Sequence, residues 1–317
     1  MTRRVLLGPL LLAAGLLAAS AGCGRQAKPP APPSGAATEA PAATTSPQTA
    51  TPRKPPPHAE PTGRQEGRIT SYDQLAAVLK ERNPGFAGEV AMEPISPELL
   101  ALEIHDAQLK DIRPLARQRI GKLDLSRCDL TDLSPLEGMP LVELYLEDNR
   151  HLADISALRG MPLQKLYLSH TGVQNLGPLR GSPLDELNLV GTRVRDVGPL
   201  SDSPIRMLWL NDCPVEDITP LGKLPLESLT LENAPVRDIS PLAGNRLQRL
   251  HIGGTQVTDL TPLKQLRLVR LIFTPGRIKT GLDVARQMAS LREIGTTLDG
   301  RMAPSEFWPL VDKGEIK

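Results

Sequence analysis

The sequence predicts an α/β solenoid, a stack of near-identical rungs with helical caps at its two ends. Three observations predict it. A reference leucine recurs at Leu102, Leu123, Leu144, Leu166, Leu187, Leu208, Leu229, Leu250 and Leu271, in steps of 21 residues with one step of 22. A second large apolar residue stands two places after each reference, so both side chains leave a short strand on the same face. The chain also holds only eight aromatics among 317 residues, so its core must be filled by aliphatic side chains.

Taken in order, the chain opens with MTRRVLLGPLLLAAGLLAASAGC, residues 1–23. Arg3 and Arg4 precede an apolar run from Val5 to Ala19 that ends in small residues. That run is too short for a spanning helix and reads as an export signal over residues 1–22. Ser20-Ala21-Gly22-Cys23 resembles a bacterial lipobox, which implies a diacylated Cys23 as the mature N-terminus. Ser20 stands where such a motif usually has leucine. The alternative is an ordinary cleavage after Ala19-Ser20-Ala21 and a secreted, unanchored protein.

Residues 23–67 then form a tether. Eleven of the 32 prolines lie between Pro29 and Pro61, and from Gly24 to Gly67 no aliphatic side chain exceeds alanine. Nothing there can offset the entropy of ordering, so an extended, partly polyproline II spacer is expected. Residues 68–98 are read as the N-terminal cap. Thr70-Ser71-Tyr72-Asp73 followed by QLAAVLKER predicts a capped helix ending at Asn83-Pro84, and residues 85–98 add a strand or hairpin.

Residues 99–275 are the repeats. Small residues recur five places after the reference, at Ala107, Cys128, Asn149, Thr171, Thr192, Cys213, Ala234 and Thr255, where the chain turns inside a narrow coil. An Asp-Ile-Ser-Pro-Leu segment follows, as at Asp238–Leu242. Serine or threonine before proline predicts an N-cap ahead of a single 3₁₀-like turn. This pattern resembles bacterial leucine-rich repeats of the internalin-like class. The resemblance implies a right-handed, curved stack with a parallel concave sheet and 3₁₀-like convex turns. Residues 276–317 are read as a helical C-terminal cap, with one helix over Thr280–Leu291 and a shorter one over Pro304–Asp312. The ending EFWPLVDKGEIK resembles a tail of bacterial repeat proteins, some of which carry a kinase ahead of the repeats. The glycine-rich, H-R-D and D-F-G segments of a kinase are missing from this sequence, so that activity does not carry over.

The remaining residues offer little chemistry. Lys and Arg number 37 against 36 Asp and Glu, and a net charge of +1 gives no field for nucleic acid. Cys128 and Cys213 stand four rungs apart, roughly 19 Å, beyond disulfide reach. His105, His170 and His251, on or beside the concave face, are on the order of 14 Å or more apart, so they cannot share a metal. No catalytic group and no cofactor is assigned.

Strand alternation places the residues one before, one after and three after each reference on the concave face. The first column runs Ala101, Lys122, Glu143, Lys165, Glu186, Met207, Ser228, Arg249, Arg270, alternating in sign over four rungs. Asp185, Arg206 and Glu227 alternate beside it. Such pairs stitch neighbouring rungs. The second column holds Glu103, Asp124, Tyr145, Tyr167, Asn188, Trp209, Thr230, His251 and Ile272, with three of the eight aromatics. Aromatics suit strands, but large apolar groups on a solvated face mark an interaction surface. Tyr145, Tyr167 and Trp209, flanked by Lys165, Glu186 and Arg206, are therefore the candidate binding residues, forming a strip about 14 Å long at the rung spacing. The strip could hold a peptide strand or protein loop, or stack against sugar rings. The expected function is non-enzymatic binding in the bacterial cell envelope, with the membrane reached through the N-terminal lipid. The alternative is a structural spacer or assembly component with no concave ligand.

Overall fold

The computed structural model describes residues 71–87 and 89–317. Cys23, the export signal and the tether lie outside the described residues. The cap helix α1 spans Tyr72–Arg82, and Ser71 Oγ accepts the Gln74 N–H as its N-cap. Asn83 ends the helix and ties it to the first rung: its Oδ1 accepts the N–H groups of Lys110 and Asp111, and its Nδ2 donates to Asp111 O. Strand β1 (Val90–Pro94) pairs antiparallel with β2 (Leu100–Ile104), which makes the hairpin expected from the sequence.

From β2 onward the sheet is parallel and runs in strict chain order. Its strands are β3 (Ile120–Asp124), β4 (Glu143–Tyr145), β5 (Lys165–Tyr167), β6 (Glu186–Asn188), β7 (Met207–Trp209), β8 (Ser228–Thr230), β9 (Arg249–His251) and β10 (Arg270–Ile272). The reference leucines stack on one another, Leu144 on Leu166, Leu208 on Leu229, and so on to Leu271. Each is 1% exposed or less, so the coil is filled by leucine at every level. The molecule is a leucine-rich repeat solenoid with a parallel concave sheet and short convex 3₁₀ turns.

The convex turns are capped differently from the sequence expectation. In Ser240–Leu242 the serine is the first residue of the turn and not its cap. Asp238 is the capping residue: its Oδ1 accepts the Ser240 N–H at 2.7 Å and its Oδ2 accepts the Ser240 hydroxyl at 2.8 Å. The same bond recurs from Asp132, Asp154, Asn175, Asp196, Asp217 and Asp259 to the residue two further on. A carboxylate two residues ahead reaches the amide through a closed Asx ring, which leaves the serine hydroxyl free to donate back.

The small-residue ladder is also more than a steric requirement. Thr171, Thr192 and Thr255 donate their hydroxyls to the carbonyl three residues earlier, and the Cys213 thiol to that of Leu189. In the rung with the additional residue, the fully buried Asn149 donates to Leu125 O and Leu146 O and accepts the Leu130 N–H. One place before the ladder the backbone is left-handed, at Arg127, Asp148, His170, Gly191, Asp212, Asn233 and Gly254.

At the C-terminal end the expected helix over 280–291 is a short α2, Leu282–Arg286. It begins after Gly281 at φ +80°, where a Cβ would sit 2.5 Å from Thr261 N. The chain then leaves the helix to bury Leu291 and to add an eleventh strand, β11 (Glu293–Gly295), beside β10. The cap thus contains a strand that the sequence reading omitted. Helix α3 spans Pro304–Asp312 as expected and packs Phe307 and Trp308 against Phe273, with ring centroids 6.0 and 6.4 Å away.

Candidate functional site on the concave face

Tyr145, Tyr167 and Trp209 come from β4, β5 and β7, each directly after a buried reference leucine. Alternation therefore turns them to the concave side. They form one cluster: the Tyr145 and Tyr167 centroids are 4.9 Å apart, and those of Tyr167 and Trp209 are 6.0 Å apart. Tyr167 and Trp209 stand two rungs apart, about 9.6 Å at sheet spacing, so their rings lean together over the smaller Asn188. The aromatic surface is accordingly shorter than the 14 Å strip expected from strand positions alone. All three side chains are half-buried.

Polar neighbours fix the rings. The Tyr145 hydroxyl donates to Glu143 at 3.0 Å and the Tyr167 hydroxyl to Glu186 at 2.6 Å. Lys165 lies between those carboxylates, 3.6 Å from Glu143 and 3.5 Å from Glu186. Lys122 approaches the Tyr145 ring face at 5.7 Å and pairs with Glu103 at 3.3 Å. Burial, and then the adjacent carboxylates, hold both phenols above their ordinary pKa. Arg206 stands apart from the rings and bridges Asp185 at 2.6 Å and Glu227 at 3.3 Å. Of the candidate residues, Lys165 and Glu186 thus join the aromatic cluster, and Arg206 belongs to an inter-rung charge ladder.

Further along the same face lies a pocket of about 370 Å³ that the sequence reading missed. Its cause is local to one rung. Ser228 and Thr230 on β8 are small, with Met207 and Trp209 before them and Arg249 and His251 after them. A hollow therefore opens between two large rows, and Asn211, Glu232, Arg270, Ile272 and Leu298 are also among the residues that line it. Two small residues between bulky ones in adjacent columns is the signal that could have found it.

His251 and Ile272 sit in the column expected to face solvent, yet they are 5% and 0% exposed. The segment after β11 folds over this end of the sheet, and a Cβ on Gly253 would lie 3.1 Å from Thr296 O. Burial holds the His251 imidazole below its ordinary pKa, with Glu232, 3.8 Å away, acting in the opposite sense. His105 instead contacts Ser126 O, and His170 lies exposed in a left-handed turn. Cys128 and Cys213 are buried and unpaired by disulfide, and burial pushes the Cys128 thiol up to about 11. Among the described residues no group of three or more His, Cys, Asp or Glu side chains is placed to hold a metal.

No protein-family profile matches the chain, and no curated protein sequence matches it. Among solved structures it is similar to an internalin (inlF) from Listeria monocytogenes, at 24% identity and TM-score 0.50. That match covers 62% of this chain and 66% of the other, just under two thirds of its length. It is also similar to internalin C2 (inlC2) from the same organism, at 27% identity and TM-score 0.50, over 56% of this chain and 80% of that one. These likenesses establish the leucine-rich repeat fold.

Proposed function

We propose that the chain is a non-enzymatic binding protein of the bacterial cell envelope that presents its concave face to a protein ligand. The observation that carries this reading is the cluster of Tyr145, Tyr167 and Trp209 on an otherwise charged sheet face. Half-buried aromatics, two tyrosines tied to neighbouring carboxylates and Trp209 packed on Tyr167, offer contact area at small entropic cost, which is how interface anchors work. The fold shared with internalins supports a protein partner over a sugar. In this reading residues 1–22 direct export, Cys23 carries the lipid, and residues 23–67 hold the folded part away from the membrane.

The test is capture of ligand from an envelope extract by the detergent-solubilised full chain, followed by affinity measurement on variants. Tyr167→Ala and Trp209→Ala should each weaken binding by about 1 kcal/mol or more. Arg237→Ala, on the convex turn, should leave it unchanged. A partner held equally by wild type and the double variant would overturn the concave site and favour the structural role. Anchoring has its own check: the mature wild-type N-terminus should be blocked and the protein should partition into detergent, while Cys23→Ser should not. A free N-terminus at Gly22 would refute lipidation.

A further inference from the structure

We infer that the hollow over Ser228 and Thr230 is a specificity pocket that takes an acidic side chain, a glutamate with apolar neighbours, from a protein partner. The inference rests on the concave-face reading and adds what that face selects. Its basis is the charge pattern along the first concave column. From Lys122 to Glu186 the column alternates in sign, and every charge has an opposite neighbour: Lys165 lies 3.6 Å from Glu143 and 3.5 Å from Glu186, and Lys122 pairs with Glu103. At the pocket the alternation fails. Arg249 and Arg270 are direct partners across β9 and β10, two like charges side by side, an arrangement that destabilises a sheet.

Arg270 is neutralised by Glu293, which it shares with Arg301. Arg249 has no such partner: among the described residues no carboxylate lies within ion-pair distance of it, and its guanidinium reaches across Ser228 to Met207 Sδ at 3.8 Å. Arg270 and Arg301 thus share one carboxylate while Arg249, the cross-strand neighbour of Arg270, has none, and a second carboxylate is the group that completes the set. Trp209 across the hollow and the exposed Leu298 supply apolar surface suited to an aliphatic stem and its neighbours. Glu232, which also lines the hollow, accepts from Asn211 Nδ2 at 3.2 Å and lies 3.8 Å from His251, and its carboxylate forms no ion pair with Arg249. An Arg–carboxylate contact in a partly closed, apolar hollow is stronger than one in open water.

The probe is a capped tripeptide with a central glutamate between two leucines, compared with its glutamine counterpart of the same shape. Binding to the full-length protein in detergent is followed through the indole N–H resonance of Trp209. The glutamate peptide should bind at least about 10-fold more tightly, equal to about 1.4 kcal/mol, and the margin should shrink as salt rises. Arg249→Gln should remove the margin while Arg249→Lys keeps part of it. Equal binding of the two peptides, or no shift with either up to about 10 mM, would overturn the pocket. The two readings fail separately. A captured partner lost by Tyr167→Ala but held normally by Arg249→Gln leaves the concave face as the site and removes the pocket. A partner indifferent to both removes the concave reading itself.

Discussion

Leu208 and Trp209 are consecutive residues with opposite duties. Leu208 is 1% exposed inside the coil, and Trp209 is half-buried against Tyr167 on the concave surface. Leu208→Ala should cost about 2–5 kcal/mol in chemical denaturation, the range for a cavity in a packed core. Trp209→Ala should cost only about 1 kcal/mol, because it forfeits one ring–ring contact and part of its burial. A reversed order would mean the strand register is wrong by one. Asn149→Ala belongs with the first kind of change. It would strand the buried Leu130 N–H and Leu125 carbonyl, at about 1–3 kcal/mol for each unsatisfied group, while the Leu146 carbonyl keeps the backbone N–H of residue 149. The alternation that separates Leu208 from Trp209 was legible in the sequence. The tilt of Trp209 toward Tyr167 was not, since it depends on Asn188 leaving room between rungs.

The element that repeats most faithfully is the capped convex turn. Asp238→Ala should destabilise the fold by about 1 kcal/mol in thermal or chemical unfolding, the usual loss for a capping side chain. Asp238→Asn should be nearly neutral, because Asn175 already makes the equivalent bond to Gly177 N–H at 2.8 Å. If alanine and asparagine proved equally costly, the carboxylate would be acting through charge and not as an acceptor. The sequence displayed the Asp-Ile-Ser-Pro-Leu segment plainly, but its reading assigned the cap to the serine. Propensity alone admits either residue, and the reach of the side chain in the folded turn selects the aspartate. The left-handed column was likewise visible in its residue types, since Gly, Asn, Asp and His tolerate positive φ best, yet no periodic pattern demands that conformation.

Across the whole molecule, stability is carried by contacts between adjacent rungs, so the two ends matter disproportionately. Phe307→Ala should cost about 3–5 kcal/mol, because it opens the apolar lid over the last rung. Acid should unfold the solenoid for a related, distributed reason. The Arg113 side chain holds the Asp111 carboxyl at about 2, well below its ordinary 3.8. Asp185 is likewise lowered by Arg206, Asp217 by Thr219, and Glu293 by Arg270. Each folded pKa lies below its unfolded value, so this stabilisation is complete only above about pH 5 and is lost as pH falls through the folded values, for Asp111 about 2. The imidazole of His251, also lowered, adds a loss that begins earlier, below its ordinary 6.5. A circular dichroism melt repeated at descending pH should show a falling midpoint. A midpoint constant from pH 7 to pH 3 would contradict these ties.

The sequence by itself determined the repeat, its register, the leucine core and which columns face outward. Each follows from periodicity, which is a property of the chain before it folds. It also marked the three cap helices, α1 from Ser71 and α3 from Pro304 as expected, although α2 proved shorter than its pattern. Tertiary structure alone decided how the rings of Tyr145, Tyr167 and Trp209 gather, and that no carboxylate among the described residues pairs with Arg249. It also decided that the C-terminal segment closes over His251 and Ile272. Those outcomes depend on distances between side chains of different rungs and on how the cap folds back, and no local pattern in the chain encodes such distances.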